Sequence, residues 1–162
     1  MNQQKKLSIA IKLLPFVFSL HNFEEAWHIY TANSATLSPI AVSPSQFIIA
    51  VFLFTVLGFL ICFGKNSYPT TMSYQYAVTG FSGMLFLNSF FPHILSAIYL
   101  RTYTAGVITA TFLILPLTAW ILWQIYKSRI FSMKQFYCTI ILGAIIGLAL
   151  VFLFLGIGYL LE

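Results

Sequence analysis

The sequence has very few charged side chains. Charged types make up 7% of its 162 residues, and only three residues are acidic, none of them aspartate. A soluble domain usually carries about 25% charged residues, so a soluble chain of this size could not cover its surface with these. Hydrophobic types reach 60%, and the mean hydropathy is +0.92. The shortage of charge therefore excludes a separate soluble domain and indicates lipid as the solvent.

Clustered basic residues and paired cysteines are also missing. The eight Lys and Arg residues are scattered, with no stripe that could follow a phosphate backbone, so nucleic acid is not an expected partner despite a pI of 9.3. Cys62 and Cys138 form no CxxC pattern. They lie among apolar neighbours, which is typical of cysteines that only pack.

Long apolar stretches predict an all-α polytopic membrane bundle of five helices in one domain, 1–162. Polar, Ser-rich or Pro-containing segments connect the stretches, as expected of loops. No internal repeat is visible, which argues against a transporter built from repeats. The predicted spans are 8–30, 46–64, 74–100, 106–126 and 136–161.

The Lys and Arg residues predict the orientation of this bundle. With the N-terminus inside, the cytoplasmic segments hold six basic residues and the outer segments hold only Arg101. This bias predicts an N-in, C-out topology. A cleaved signal peptide ending at 32–35 is the alternative, but a polar block separates that site from the apolar stretch, unlike in signal peptides.

That polar block, His21 to His28, concentrates the ionisable groups of the chain. It holds Glu24 and Glu25, the only acidic residues before the C-terminal Glu162, and two of the three histidines. At 100° per residue, His21, Glu24, Glu25 and His28 share one helix face of about 100°. Two ionised Glu side chains at mid-membrane would cancel the apolar insertion energy of this span, at about 2.5–3.5 kcal/mol each. The block is therefore either a wetted helix end at the outer interface or a site for a metal ion or protons.

The block also carries a family resemblance. His21-Asn-Phe-Glu24-Glu25 resembles the signature of the HXXEE family of small bacterial membrane proteins. Two further signatures of that family are an Asn shortly before a His and, about ten residues later, Y-x-P-G-x-x-T. The resemblance implies a multi-pass protein of the bacterial cytoplasmic membrane, but it implies no reaction.

The later signatures match with two departures. Tyr103, Gly106 and Thr109 fit the last motif, although Ala105 stands where the family has Pro. Asn88 lies one residue further from His93 than the family pattern requires, which would turn the two side chains about 140° apart on a regular helix. Because Pro92 cannot donate a backbone hydrogen bond, we predict a bulge near residues 90–92 that returns both to one face, with His93 directed at His21 or Glu25. Without it, Ser89 is the nearer candidate.

Together these residues predict a metal site. The spacing His21-x-x-Glu24-Glu25 can be compared with the inverted zinc motif H-x-x-E-H. Our first assignment makes His21, Glu25 and His93 ligands of a divalent metal ion, zinc above all, with Glu24 as the general base or as a group that supports the ligands. Two His and one Glu are a known catalytic zinc set. Pairing Glu25 with His28 is the alternative, and di-iron chemistry is discounted for want of carboxylates. Asn88, Tyr103, Gly106 and Thr109 would line the site, with Thr102 or Thr104 capping the next helix.

Three functions remain open at this point. The first is a metal-dependent hydrolase or transferase that acts on a lipid or other amphiphile near the outer face. The second is a proton-coupled carrier of a small solute, and the third is a non-catalytic accessory or immunity protein. Membrane lipids are the expected partners. Gly143-x-x-x-Gly147 could join two copies of the chain, although packing within one chain is favoured.

Overall fold

The computed structural model describes residues 3–32 and 42–162, and these residues form five long helices and no strand. The predicted all-helical class is confirmed for them. The loop predicted over 31–45 is shorter at both ends, because residues 31–32 belong to the first helix and 44–45 to the second. Its central part, 33–41, and with it most of the alternative cleavage site at 32–35, lies outside the described residues. A short 3-10 turn, Lys65–Ser67, follows the second helix. The helices are α1 (Gln3–Ala32), α2 (Pro44–Phe63), α3 (Thr71–Leu100), α4 (Val107–Lys127) and α5 (Met133–Leu160).

Polar caps fix the start of three of these helices. Ser43 and Ser132 each accept the backbone N–H three residues on, from Gln46 and Gln135, whose side chains accept the cap N–H in return. Thr70 caps α3 in a similar way through the N–H of residue 73. Such caps satisfy N–H groups that have no partner inside a helix. They explain why α2, α3 and α5 begin two to three residues before the predicted spans.

Four helices, α2 to α5, are long and apolar enough to cross a membrane. For these four helices, the predicted spans are supported by length and composition. α1 has sufficient length, at 30 residues, but it is not among the four. Lys12 and the polar block reduce its apolar content, so composition alone does not establish that it crosses. Large apolar side chains such as Phe52, Ile145 and Phe152 lie exposed on the outer surface, as lipid-facing residues would.

The five helices pack as a closed ring. Around the ring the order is α1, α2, α5, α3 and α4, and α4 returns to α1. The order around the ring therefore differs from the order in sequence, because α5 lies between α2 and α3. The interior is filled by side chains that are at most 1% exposed, among them Leu14, Val78, Leu85, Ile114, Ile121 and Ile125.

Glycines bring α3 and α5 into backbone contact. A Cβ atom on Gly143 would collide with the backbone of Gly80, and one on Gly83 would stand 2.8 Å from Cγ1 of Ile140. Small residues allow helices in a membrane to approach closely. The favoured interpretation of the Gly143 motif, packing within one chain, is confirmed.

The two ends of the bundle differ in charge. α1 and α3 end, and α2 and α4 begin, at one end, which we call the site end. Of the eight basic residues, only Arg101 lies there, whereas the opposite end carries Lys5, Lys6, Lys65, Lys127, Arg129 and Lys134. Glu162, at the end of α5, accepts hydrogen bonds from Ser43, Ser45 and Gln46 at the start of α2. This contact fixes the last helix at the site end.

Candidate metal centre

Three side chains from α1 and α3 meet near the site end, and we call them the ligand cluster: His21, Glu25 and His93. One potential ligand atom of each lies within 4.8 Å of the others. Glu25 Oε1 is 3.3 Å from His93 Nε2 and 3.8 Å from His21 Nε2, and the two imidazole rings are perpendicular with centroids 4.7 Å apart. The histidines are only 2% and 4% exposed. The structure thus brings together the three residues predicted as ligands, and their role as ligands stays a prediction.

An irregular turn in α3 places His93 in the cluster. Ser89–Ile94 form a π-helical turn, within which Phe91 has non-helical angles, φ −129° and ψ 110°. The turn takes up the extra residue, and Asn88 Nδ2 lies 3.1 Å from His93 Nε2. The predicted bulge at Pro92 is therefore confirmed, as is the direction of His93 towards Glu25. Asn88 stands beside the cluster, whereas Ser89, the alternative, donates to the carbonyl of Leu85.

The hydrogen-bond partner of His93 fixes its tautomer. His93 Nδ1 lies 2.8 Å from the carbonyl oxygen of Ala105, between α3 and α4. A carbonyl can only accept, so Nδ1 carries the proton and donates. The other ring nitrogen, Nε2, then carries the lone pair, and it faces both the Asn88 amide nitrogen at 3.1 Å and Glu25 Oε1 at 3.3 Å.

His21 is oriented in the same way through Thr109. His21 Nδ1 lies 2.9 Å from Thr109 Oγ1. The single hydroxyl proton of Thr109 is used by acceptors, Glu24 Oε2 at 2.5 Å or the carbonyl of Gly106 at 3.3 Å. Thr109 must therefore accept from His21, which leaves the lone pair of His21 Nε2 facing the cluster.

Two histidine Nε2 atoms and a Glu25 oxygen consequently lie close together, and both histidines are almost fully buried. Two imidazole lone pairs and a carboxylate oxygen repel unless a cation or a proton lies between them. Outer hydrogen bonds that fix both histidine tautomers are the usual support of metal-bound histidines. The cluster could therefore hold a metal ion.

Glu24 is directed away from the ligand atoms. Its carboxylate accepts four hydrogen bonds, from the Tyr103 hydroxyl (2.6 Å), the backbone N–H groups of Ile108 (3.2 Å) and Thr109 (2.8 Å), and the Thr109 hydroxyl (2.5 Å). An acidic group is favourable at this place because α4 begins here with unpaired N–H groups. The predicted caps, Thr102 and Thr104, are thus wrong: the Thr104 hydroxyl donates to the carbonyl of His93 instead. A role for Glu24 as the general base stays a prediction.

Gly106 lets the chain pass directly over the cluster. Its φ is +78°, in the region that favours glycine. A Cβ atom there would stand 2.7 Å from His21 Cε1, 2.8 Å from Glu25 Cγ and 3.0 Å from His93 Cε1. The glycine of the third motif therefore covers all three members of the cluster.

Two of the predicted residues lie at the rim. The ring of His28 packs against Tyr103, with centroids 5.1 Å apart, and His28 does not belong to the ligand cluster. Its alternative role as a ligand paired with Glu25 therefore has no support in the geometry. Burial and the hydrogen bond to Glu24 raise the pKa of Tyr103 to about 12, so its hydroxyl remains a donor at physiological pH.

The sequence did not identify two supporting contacts. Asn22, buried beside His21, donates to the Val51 carbonyl (3.2 Å) and to Thr55 Oγ1 (2.7 Å), which fastens α1 to α2. Its place inside the polar block was the available signal. The acceptor of the His93 Nδ1 hydrogen bond is the backbone carbonyl of Ala105, and a backbone group leaves no signal in the sequence.

Comparisons with known proteins identify relatives of this chain but no reaction. A family model described as "Protein of unknown function with HXXEE motif" matches residues 12–121, more than half of the chain. An uncharacterized protein of Bacillus subtilis (strain 168), YrkK, is 27% identical over 144 residues, which cover 88% of this chain and 91% of that protein. No solved structure matches the chain. The matched region contains the whole ligand cluster and Thr109.

Proposed function

The chain belongs to the family of proteins of unknown function that carry the HXXEE motif, and we propose that it is a metal-dependent membrane enzyme, a hydrolase or transferase acting on a lipid or other amphiphile. One observation carries the proposal. Two buried histidines, each with Nδ1 as a donor, turn Nε2 towards one carboxylate, and His93 would exchange its Nε2 contact with Asn88 for a bound metal ion. These lone pairs repel unless a cation or a proton lies among them, and a metal ion would satisfy all three groups at once.

Zinc fits the donor set best. Two imidazole nitrogens and one carboxylate, with a fourth position left for water, form a known catalytic zinc site. A zinc ion held there would activate water and polarise a carbonyl or phosphoryl group. Around it, Glu24 would be a positioning residue that holds His21 through Thr109, and Asn88 would hydrogen-bond at the edge of the cluster.

The location of the cluster supports an amphiphilic substrate. It lies inside a ring of helices of which four could cross a membrane, close to the end of the bundle. A water-soluble substrate would reach it through the site end, whereas an amphiphile could place its polar part there and its apolar part among the helices. The cavities that border the cluster have mostly apolar walls, which suits the second case.

The distribution of charge supports an orientation for the proposed enzyme. We assign the basic end to the cytoplasm, which gives an N-in, C-out topology with α1 as a fifth span and the site end facing outward. Trp27, Tyr30 and Tyr99 are exposed at the site end, as in an interfacial aromatic belt. The relative in Bacillus subtilis is a bacterial protein, and for this chain we propose the bacterial cytoplasmic membrane as the compartment because of its apolar helices.

Metal analysis of the purified protein tests the proposal. We expect about one zinc or other transition-metal ion per chain, the ratio set by one three-ligand cluster. His21→Ala and His93→Ala should lose the ion. His28→Ala is the matched control, because His28 lies outside the cluster, and it should retain the ion.

Two results would count against the enzyme. A folded protein that contains no metal and takes up none would contradict the metal site, and a proton shared between Glu25 and the histidines would then explain the cluster. Loss of metal in His28→Ala to the same degree as in His21→Ala would show that the ligand set is assigned wrongly.

A further inference from the structure

Two cavities meet at the ligand cluster. The inner cavity, of about 300 Å³, extends from the cluster into the bundle between α1, α2, α3 and α5. The outer cavity, of about 370 Å³ as bounded by the described residues, lies towards the site end. Glu25, Pro92 and His93 border both cavities. A molecule that occupied both would therefore cross beside the cluster.

The inner cavity is polar only where it touches the cluster. Its polar lining residues are His21, Asn22, Glu25, Asn88 and His93. The amide nitrogens of Asn22 and Asn88 are already used, by groups on α2 and by His93. Every other lining side chain is apolar, so the part of a ligand that enters this cavity must be hydrocarbon.

The outer cavity has a different lining. Hydroxyl groups from Ser96, Thr102, Tyr103 and Thr104 border it, together with the imidazole of His28. Apolar side chains complete the wall, from Ile29, Val42, Phe47, Leu100 and Leu155. Tyr103 and Thr104 already donate to Glu24 and to the carbonyl of His93. Hydrogen-bonding groups for the polar part of a ligand are offered by Ser96, Thr102 and His28. Away from the cluster, the outer cavity therefore has hydrogen-bonding side chains and the inner cavity has none.

Met84 separates the inner cavity from a third one. The deep cavity, of about 510 Å³, lies between α2, α3 and α5 and has an almost wholly apolar lining. Phe54, Met84 and Gly147 border both the inner and the deep cavity. A Cβ atom on Gly147 would collide with Met84 Sδ, so the thioether lies directly on this glycine and forms the floor of the inner cavity.

From this arrangement we infer that the protein binds an amphiphile with a single acyl chain and a bulky polar headgroup, of the lysophospholipid type, and that Met84 limits the length of the chain. The headgroup occupies the outer cavity, the chain occupies the inner cavity, and the bond between them lies at the cluster. A free fatty acid fits less well, because it has no headgroup to fill the outer cavity. The inference rests on the proposed function only for the reaction at the cluster; the binding itself needs no metal.

The selectivity for chain length is steric. Lipid tails are as apolar as the cavity wall, so burying more methylene groups adds no affinity over remaining in the membrane. A chain that reaches Met84 must displace it, and overpacking of this kind weakens binding by about tenfold or more. Binding should therefore be level for short chains and fall beyond one length.

Native mass spectrometry of the full chain in detergent, with a chelator present, tests the inference. The probes are lysophosphatidylcholines with hexanoyl, decanoyl, tetradecanoyl or octadecanoyl chains. The wild type should form one-to-one adducts with the shorter chains and about tenfold fewer with the longest, as overpacking predicts. Met84→Ala opens the deep cavity and should bind the longest chain as well as the shorter ones.

Three controls accompany this measurement. Met84→Leu keeps the volume of the floor and should behave as the wild type. Met72→Ala makes the same change on α3 at an exposed position and should change nothing. Ala144→Phe places a ring in the inner cavity and should abolish the adducts, whereas Ala149→Phe, exposed on the same helix, should not.

Several results would overturn the inference. Equal adducts at every chain length would show that the lipids bind to the outside of the bundle, as would an Ala144→Phe variant that binds normally. If Met84→Ala and Met72→Ala bound the four chain lengths identically, Met84 would not be what limits the length of the chain. Fatty acids that bind as well as lysolipids would show that the headgroup does not contribute to binding. Because the chelator is present throughout, none of these outcomes decides whether the protein is a metalloenzyme.

Discussion

Thr109 is the most informative single residue to change, because its hydroxyl links a proposed ligand, His21, to the carboxylate of Glu24. It accepts from His21 Nδ1 at 2.9 Å and donates to Glu24 Oε2 at 2.5 Å. Thr109→Val removes the hydroxyl and keeps the shape of the side chain. The backbone N–H of residue 109 can still donate to Glu24, so the start of α4 keeps one of its contacts.

The expected magnitude follows from what the variant leaves behind. The N–H of His21, whose side chain is 2% exposed, loses its acceptor, and an unsatisfied buried donor costs about 1–3 kcal/mol. Loss of the outer partner of a metal-bound histidine typically lowers metal affinity 10–100-fold, which is about 1.4–2.8 kcal/mol. The first range concerns the stability of the fold and the second concerns the metal, so we expect zinc affinity to fall by one to two orders of magnitude.

Competition between the protein and a chromophoric chelator measures this affinity. Thr118→Val is the control, because Thr118 is buried on the same helix, α4, and donates only to carbonyls of that helix, at 2.7 Å and 3.2 Å. Its zinc affinity should equal that of the wild type. Wild-type affinity in Thr109→Val, or an equal loss in Thr118→Val, would refute the role given to the Thr109 hydroxyl.

Three further changes test other parts of the structure. Glu24→Gln turns an amide N–H towards other donors and should lower the free energy of unfolding by on the order of 2–3 kcal/mol. The loss should be seen as a lower Tm in detergent, and an unchanged Tm would contradict the role of Glu24 as a cap. Gly106→Ala should abolish zinc binding, since its Cβ would stand 2.7 Å from His21 Cε1. The φ of +78° would add about 1–2 kcal/mol of backbone strain for alanine. Normal zinc binding would show that the turn relaxes freely. Gly143→Ala should lower the Tm by forcing α3 and α5 apart, whereas Gly156→Ala, with nothing within 4 Å of its new Cβ, should not; equal values would disprove the close contact.

The sequence predicted the helices better than their irregular turns. The turn at Pro92 was predictable because a proline cannot donate the hydrogen bond that the preceding turn needs. A second π-helical turn, Ala110–Ile114, was missed. Its signal was present as well: Pro116 follows at once, near the start of the regular part of α4, and it leaves a carbonyl one turn back without a donor.

The candidate site was predicted only in part. The helical period places His21 and Glu25 on one face, and the structure has them so, 3.8 Å apart. The groups that orient the histidines depend on the path of the chain between α3 and α4. A backbone carbonyl such as that of Ala105 has no signature in a sequence, and the motif placed Thr109 at the site without showing that its hydroxyl accepts from His21. Sequence could therefore give the ligand types but not their tautomers.

The bonds of Glu24 have a consequence for how the protein is made. Its partners at residues 108 and 109 are synthesised 84 and 85 positions after it. In the proposed topology, α1 enters the bilayer with a carboxylate pair that opposes insertion by about 2.5–3.5 kcal/mol for each charge at mid-membrane. Among the described residues, the groups that donate to Glu24 come from residues 103 to 109, after the whole of α3. In the proposed topology, the first helix would therefore reach its full set of hydrogen bonds only when the start of the fourth has been made.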